Sequence, residues 1–183
     1  MNKRTVKDRF LIVCEGAKTE PNYFNAFKVK TADIQVVGLG ANTISLVDKT
    51  LTLMNKDDYD QVWCVFDKDS FTSNDFNTAI TKARANGIQV AYSNEAFELW
   101  YILHFQYLDT GIDRKTYIEK LTQLLGRYRK NNPNMYELLF EKQNDAISRA
   151  KKLYNSYSNH NKPAANKPST TIHLLVEQLN RFI

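Results

Sequence analysis

Within the first 93 residues, four short runs of branched and aromatic residues alternate with stretches whose apolar positions recur at helical spacing. The runs are RFLIVCE (9–15), DIQVVG (33–38), QVWCVF (61–66) and IQVAYS (88–93). Each is too short for an ordinary helix and too apolar for a strand with one solvated face, so each predicts a strand covered on both sides. Between them, TEPNYFNAFK predicts a helix with Thr19 as N-cap and Pro21 in the first turn. Ile44, Val47, Leu51 and Met54 predict a second helix, and residues 75–86, closed by Gly87, a third. A βαβαβαβ order of this kind predicts an α/β fold: a mostly parallel four-stranded sheet between helices. Right-handed crossovers then bring every strand's C-terminal end to one edge, where doubly wound folds bind ligands.

The rest reads as helical. Residues 95–105 are strongly apolar; Tyr117, Leu121, Leu124 and Tyr128 share one face, and Ile147, Ala150 and Tyr154 another. A polar loop over 154–167 precedes a Ser169–Thr171 cap and a last helix striped by Ile172, Leu175, Val176 and Leu179. The expected organisation is a single domain over 1–183, with an α/β core over 9–107 and a helical, basic extension over 108–183 packing on it. At 43% apolar and 25% charged, the 183 residues exclude disordered, collagen-like and disulfide-scaffold classes. No apolar run approaches the roughly 20 residues of a membrane span, and MNKRTVKDRF lacks the apolar segment of a secretory signal. Cys14 and Cys64 sit in strand-like runs and read as buried, reduced thiols, so a cytoplasmic location with no membrane partner is expected. The net charge of +5 is uneven: residues 1–112 carry 12 Lys and Arg against 14 Asp and Glu, residues 113–183 carry 13 against 6. A basic second half suggests a polyanion partner.

Three acidic residues fall where this topology places ligands. Glu15 ends the first strand and precedes Gly16; Asp67 and Asp69 end the third as VFDKDS. Like charges held a few ångströms apart stay ionised only when a cation joins them, and an all-oxygen cluster suits Mg²⁺ or Mn²⁺. The local reading is a metal-dependent site acting on phosphates. Lys18 and Lys68, close to these carboxylates in sequence, are candidates for neutralising charge on the phosphate, with a local salt bridge as the plainer role. Glu20 gains from the helix dipole whatever its function. Glu98, in the first turn after the fourth strand, emerges at the same edge and is expected to complete the metal shell. His104 reads as a core imidazole. His173, just after SerThrThr, is a candidate substrate contact at a helix N-terminus. The glycines of GLGAN read as a tight turn. Arg127, Arg129, Lys130, Lys151 and Lys152, interleaved with Tyr128, Tyr136 and Tyr154, are candidates for nucleic-acid contact through cations and stacking.

The strand–Glu-Gly, Gly-rich turn and strand–Asp-x-Asp arrangement resembles the Toprim domain, whose Glu and two Asp residues hold catalytic magnesium in topoisomerases, primases and nucleases. A longer match through VCEGAKTEPNYF (13–24), VWCVFDKDSF (62–71), YSNEAFELWYILHF (92–105) and KPSTTIHLLVEQL (167–179) resembles the RloB-like, or AbiLii-type, abortive phage infection family. That resemblance implies a Toprim-like (Rossmann-like) core with Glu15, Asp67 and Asp69 as metal ligands. It also implies a Mg²⁺- or Mn²⁺-dependent nuclease in anti-phage defence, with an ATPase partner from the same locus. Nothing in the chain supplies a topoisomerase's tyrosine domain or a primase's partner region, so hydrolysis by metal-activated water is expected. DNA, tRNA and other RNA stay open as substrates, as does a homodimer. Two alternatives stand beside it. One is a non-catalytic sensor or adaptor subunit of an ATPase-linked defence system. The other is a phosphatase of the haloacid dehalogenase type, which would leave Glu15 without a role.

Overall fold

All four apolar runs are strands, and they lie side by side in parallel. The computed structural model describes residues 7–40 and 45–183. Residues 1–6 of the basic N-terminal segment, and Ile44 of the expected second helix, lie outside the described residues. In chain order the elements are β1 (Asp8–Cys14), α1 (Thr19–Asn25), β2 (Ala32–Gly38), α2 (Leu46–Met54), β3 (Gln61–Asp67), α3 (Ser73–Ala85) and β4 (Gln89–Asn94). There follow α4 (Glu98–Leu103), α5 (Arg114–Leu125), α6 (Met135–Leu139), α7 (Gln143–Asn155), β5 (Ser169–Thr170) and α8 (Ile172–Asn180).

The sheet has five strands, not the four expected, in the order β2-β1-β3-β4-β5. The fifth pairs antiparallel with β4 through Ser93–Thr170 and Asn94–Ser169. Its two residues are too few to show a period, and the Ser-Thr-Thr run that looks like a helix cap is used by the sheet. The Thr171 N–H donates to the Tyr92 carbonyl and its hydroxyl accepts from the Tyr92 N–H, both at 2.9 Å. Thr170 and Ser93 pair their hydroxyls at 3.0 Å. Thr171 stands at the N-cap of α8, but its side chain makes no capping bond.

Side chains alternate across the sheet with the period of two that strands impose. Phe10, Ile12, Cys14, Trp63 and Val65 face α1 and the helices α4–α8. Leu11, Val13, Val62, Cys64, Phe66 and Tyr92 face α2 and α3. Burial of this kind on both faces keeps Cys14 and Cys64 as free, buried thiols, and desolvation pushes Cys64 up to about 12.

Several helix ends move from their expected places. Lys18, not Thr19, is the N-cap of α1, because the Thr19 hydroxyl donates to Asn131 Oδ1 at 2.7 Å. Helix α3 starts at Ser73, where Thr72 accepts from the Asp75 N–H at 3.1 Å. Helix α4 is shorter than 95–105, and α7 extends to Asn155 into the expected polar loop. Gly126, at φ 72°, stops α5 in a left-handed turn, so Tyr128 leaves the helix. Among the described residues, no helix is long and apolar enough to cross a membrane.

Candidate functional site

The C-terminal ends of β1 and β3 are neighbours, and one further residue extends their ladder: the Glu15 N–H donates to the Val65 carbonyl at 2.9 Å. Glu15 Oε2 in turn accepts from the Asp67 N–H at 3.2 Å. Two glycines allow the loop after β1 to fold back over β2. A Cβ on Gly16 would collide with the Glu20 carboxylate, and one on Gly38 would lie 2.8 Å from the Gly16 carbonyl oxygen. Gly40 donates its N–H to the Glu15 carbonyl at 2.9 Å. Gly38 and Gly40 therefore support the Glu15 loop, while Ala41 and Asn42 of the expected GLGAN turn lie outside the described residues.

This backbone brings five carboxyl groups together from four segments. Glu15 follows β1, Glu20 opens α1, Asp67 and Asp69 end and follow β3, and Glu98 opens α4. Asp67, Glu20 and Glu98 are buried. Desolvation, then the neighbouring Glu20 and Glu98 charges, push the Asp67 carboxyl well above its usual range, against the pull of Arg114. Glu20 is raised to about 7 by burial first, then by Glu15 and Glu98. Glu98 Oε1 accepts from the Tyr128 hydroxyl at 3.5 Å, and the Asp69 N–H donates to the Glu95 carbonyl at 3.1 Å.

A guanidinium stands among these groups. Arg114 Nη2 lies 2.5 Å from Asp67 Oδ2, Nη1 2.8 Å from Asp69 Oδ2, and Nε 3.7 Å from Glu98 Oε2. Burial opposes its charge, but Asp67, Glu98, Asp69 and Glu20 together raise its pKa. Most of this cluster, Asp69 apart, borders an open cavity of about 660 Å³. Glu15, Glu20, Asp67, Glu98 and Arg114 line it, and Lys18 and Lys130 stand at its walls. Lys130 reaches it because the next residue, Asn131, clamps that segment to α1. Its Oδ1 accepts from Thr19, and its carbonyl accepts from the Asn22 amide at 3.2 Å.

Other expected site residues fall elsewhere. Lys68 donates to the Phe71 carbonyl at 3.0 Å and closes its own turn. His173 is buried, does not line the cavity, and is held down to about 4 chiefly by desolvation. On α7, Lys151 pairs with Glu177 at 2.5 Å and Lys152 lies over the Tyr107 ring at 4.3 Å. Arg127 and Arg129 are exposed between α5 and α6. Tyr128 and Tyr136 are core residues, which corrects the expectation that they stack on bases, and Tyr154 stacks on His160 at 4.0 Å. His104 is the core imidazole expected of it, its Nδ1 2.9 Å from the Trp100 carbonyl.

Sequence reasoning missed Arg114 and ranked Glu20 low. The one signal for Arg114 is its position: a cation in the first turn of α5, just after the Asp113 cap, sits against the helix dipole.

Among the described residues, no group of three or more His, Cys, Asp and Glu side chains is placed to hold a metal ion as it stands. The donor chemistry nevertheless suits a hard divalent cation. Asp67 Oδ1 and Glu98 Oε2 are buried oxygens without a hydrogen-bond partner, and every donor in the cluster is oxygen.

A model of the RloB-like protein family matches residues 10–179. The chain belongs to the RloB-like family. The matched span takes in all five carboxyl groups and Arg114, so the whole cavity lies inside the RloB-like region. No curated protein and no solved structure matches the chain.

Proposed function

We propose that this RloB-like chain is a Toprim-type phosphodiesterase dependent on Mg²⁺ or Mn²⁺, cutting nucleic acid in anti-phage defence. One observation carries the reading: carboxyl groups from four separate segments meet at the C-terminal edge of a parallel sheet, with buried oxygens left unpartnered. A set of this kind is costly to assemble unless a cation answers it. Glu15, Asp67 and Asp69 are the proposed ligands, and Glu98, from α4, completes the set. When bound, the ion would lower the pKa of a water and neutralise charge on the scissile phosphate.

The chain's own residues do the rest. Glu15 is oriented by the Asp67 N–H, and Asp67 is oriented by the end of β3, so the two approach the cavity from fixed backbone. Lys18 and Lys130, at the cavity walls, attract a polyanion and hold its phosphates near the carboxylates. Arg127 and Arg129 continue that charge along the segment leading to Lys130. DNA and RNA, tRNA included, meet these requirements equally. Family membership supports the defence role, and an ATPase from the same locus is the partner this reading names. The phosphatase alternative gives Glu15 no task, whereas Glu15 here is bonded to Asp67.

Purified protein incubated with single- and double-stranded DNA, RNA and tRNA should cleave at least one of them in Mn²⁺. Asp67→Ala should lose on the order of 100-fold or more of that rate. Retention of full metal-dependent cleavage by Asp67→Ala would overturn the assignment. Crystals soaked in Mn²⁺ should show anomalous density between Glu15 and the Asp67/Asp69 pair, and density confined to other places would contradict it.

A further inference from the structure

Among the described residues, Arg114 is the guanidinium placed among the carboxyl groups of the cavity, and its pairing there is incomplete. Its two Nη atoms engage Asp67 and Asp69, but at 3.7 Å its Nε does not hydrogen-bond Glu98 Oε2, and both atoms are buried without a hydrogen-bond partner. Asp67 Oδ1 is left over as well. The guanidinium thus stands among the carboxyl groups yet leaves a buried oxygen of Asp67 and one of Glu98 unanswered. The needs of α5 do not explain the placement, since a cation in a first turn opposes the helix dipole. A third of the Arg114 side chain is exposed, which gives the long, flexible stem a way out to solvent.

We infer that Arg114 is a resident counter-ion that holds the carboxylate cluster together without metal and must swing out for a divalent ion to enter. The inference rests on the metal-site reading above and adds a regulated step to it. Two charges of the same sign cannot share the space between Asp67, Asp69 and Glu98, so ion entry and guanidinium exit are one event. The work of expelling Arg114 is subtracted from the affinity for the ion. The site therefore resists stray divalent ions until something draws the guanidinium away, and the phosphate of a bound substrate is the chemistry suited to do so.

Mn²⁺ binding to full-length protein, followed by the loss of the free-ion signal in electron paramagnetic resonance, tests this directly. Arg114→Gln should bind Mn²⁺ at least about tenfold more tightly than wild type, because a competing charge is gone. It should also gain more in thermal midpoint from saturating Mn²⁺ than wild type does. Arg114→Lys keeps a charge but loses the planar fork, so it should fold and bind with an affinity between the two. A brace with no competing role would give the opposite sign, since losing it would loosen the ligands and weaken binding. Equal or weaker Mn²⁺ binding by both variants would overturn the inference and leave the metal site standing. No Mn²⁺ binding by wild type or either variant would overturn both.

Discussion

A Cβ at position 16 would occupy the space that the Glu20 carboxylate fills. Gly16→Ala is therefore expected to cost little stability, because the clashing atoms are the far end of a flexible side chain, but to push Glu20 off the cavity wall, lowering any activity that depends on the cluster. Chemical denaturation, with the Glu20 carboxyl followed by NMR titration, checks both parts; a Glu20 titration that matches wild type, or a large loss of stability, would contradict them. The same residues show what was legible in the sequence at this scale. Glu15 and Asp67 were placed at one edge because each closes an apolar run, and parallel topology brings such ends together. Glu98 followed from its position just after β4. Arg114 was not legible, because residues 106–113 between α4 and α5 carry no periodicity that would say where α5 begins relative to the sheet edge. A residue whose role comes from its distance to three remote carboxylates leaves little local pattern beyond a cation set against the dipole of its own helix. Glu20 was undervalued for a related reason: its burial comes from the fold-back over Gly16 and Gly38, which helix signals do not describe.

The longer elements are legible by period, which is why β1–β4 and the apolar faces of α2, α5, α7 and α8 were readable and the five-residue α6 was not. The second edge of the sheet was not, since β5 is held by side chains more than by a ladder. Asn94 shows how that edge is fastened. Its buried amide donates to the carbonyls of Pro163, Ala164 and Asn166, at 3.3, 3.1 and 2.9 Å, and so ties the end of β4 to the turn that leads into β5. Asn94→Asp would set a carboxylate against three carbonyl oxygens with no donor to answer them. The expected cost is about 3–5 kcal/mol, seen as a lower denaturation midpoint. Residues 159–171 should also exchange their amide protons sooner than the β1–β3 ladder. Uniformly unchanged exchange across 159–171 would show that the tie is not what secures this edge.

For the whole molecule, the helical layer and the cavity act on pH dependence with opposite sign. Burial holds His104 neutral and down to about 4, with Arg149 and Asp145 as minor influences, and holds His173 to about 4, with Glu177 and Lys151 acting on it. A histidine depressed in this way from 6.5 contributes stability that is complete above about pH 6.5 and is lost as pH falls toward 4. Glu20 does the reverse. Its value of about 7, against an ordinary 4.5, means a contribution complete below about pH 4.5 and lost as pH rises through 7. Asp67, raised by burial and its acidic neighbours, works in the same direction as Glu20. A displacement of the size seen for Glu20 is worth about 3 kcal/mol, a large share of a small domain's stability. Between about pH 4.5 and 6.5 these opposing slopes offset each other, so the metal-free wild type should vary little in stability. Glu20→Gln removes a group that penalises the folded state at high pH. Its stability should therefore climb relative to wild type from about pH 4.5, reach a surplus of about 3 kcal/mol near pH 7, and stay level beyond. His173→Gln removes an acid-labile group and should narrow the loss seen below about pH 6. Urea unfolding in the presence of a chelator, run for the three proteins across this range, measures all of these differences. A Glu20→Gln curve that runs parallel to wild type throughout would show that Glu20 is not held protonated in the fold, and the picture of a cluster short of positive charge would fall with it.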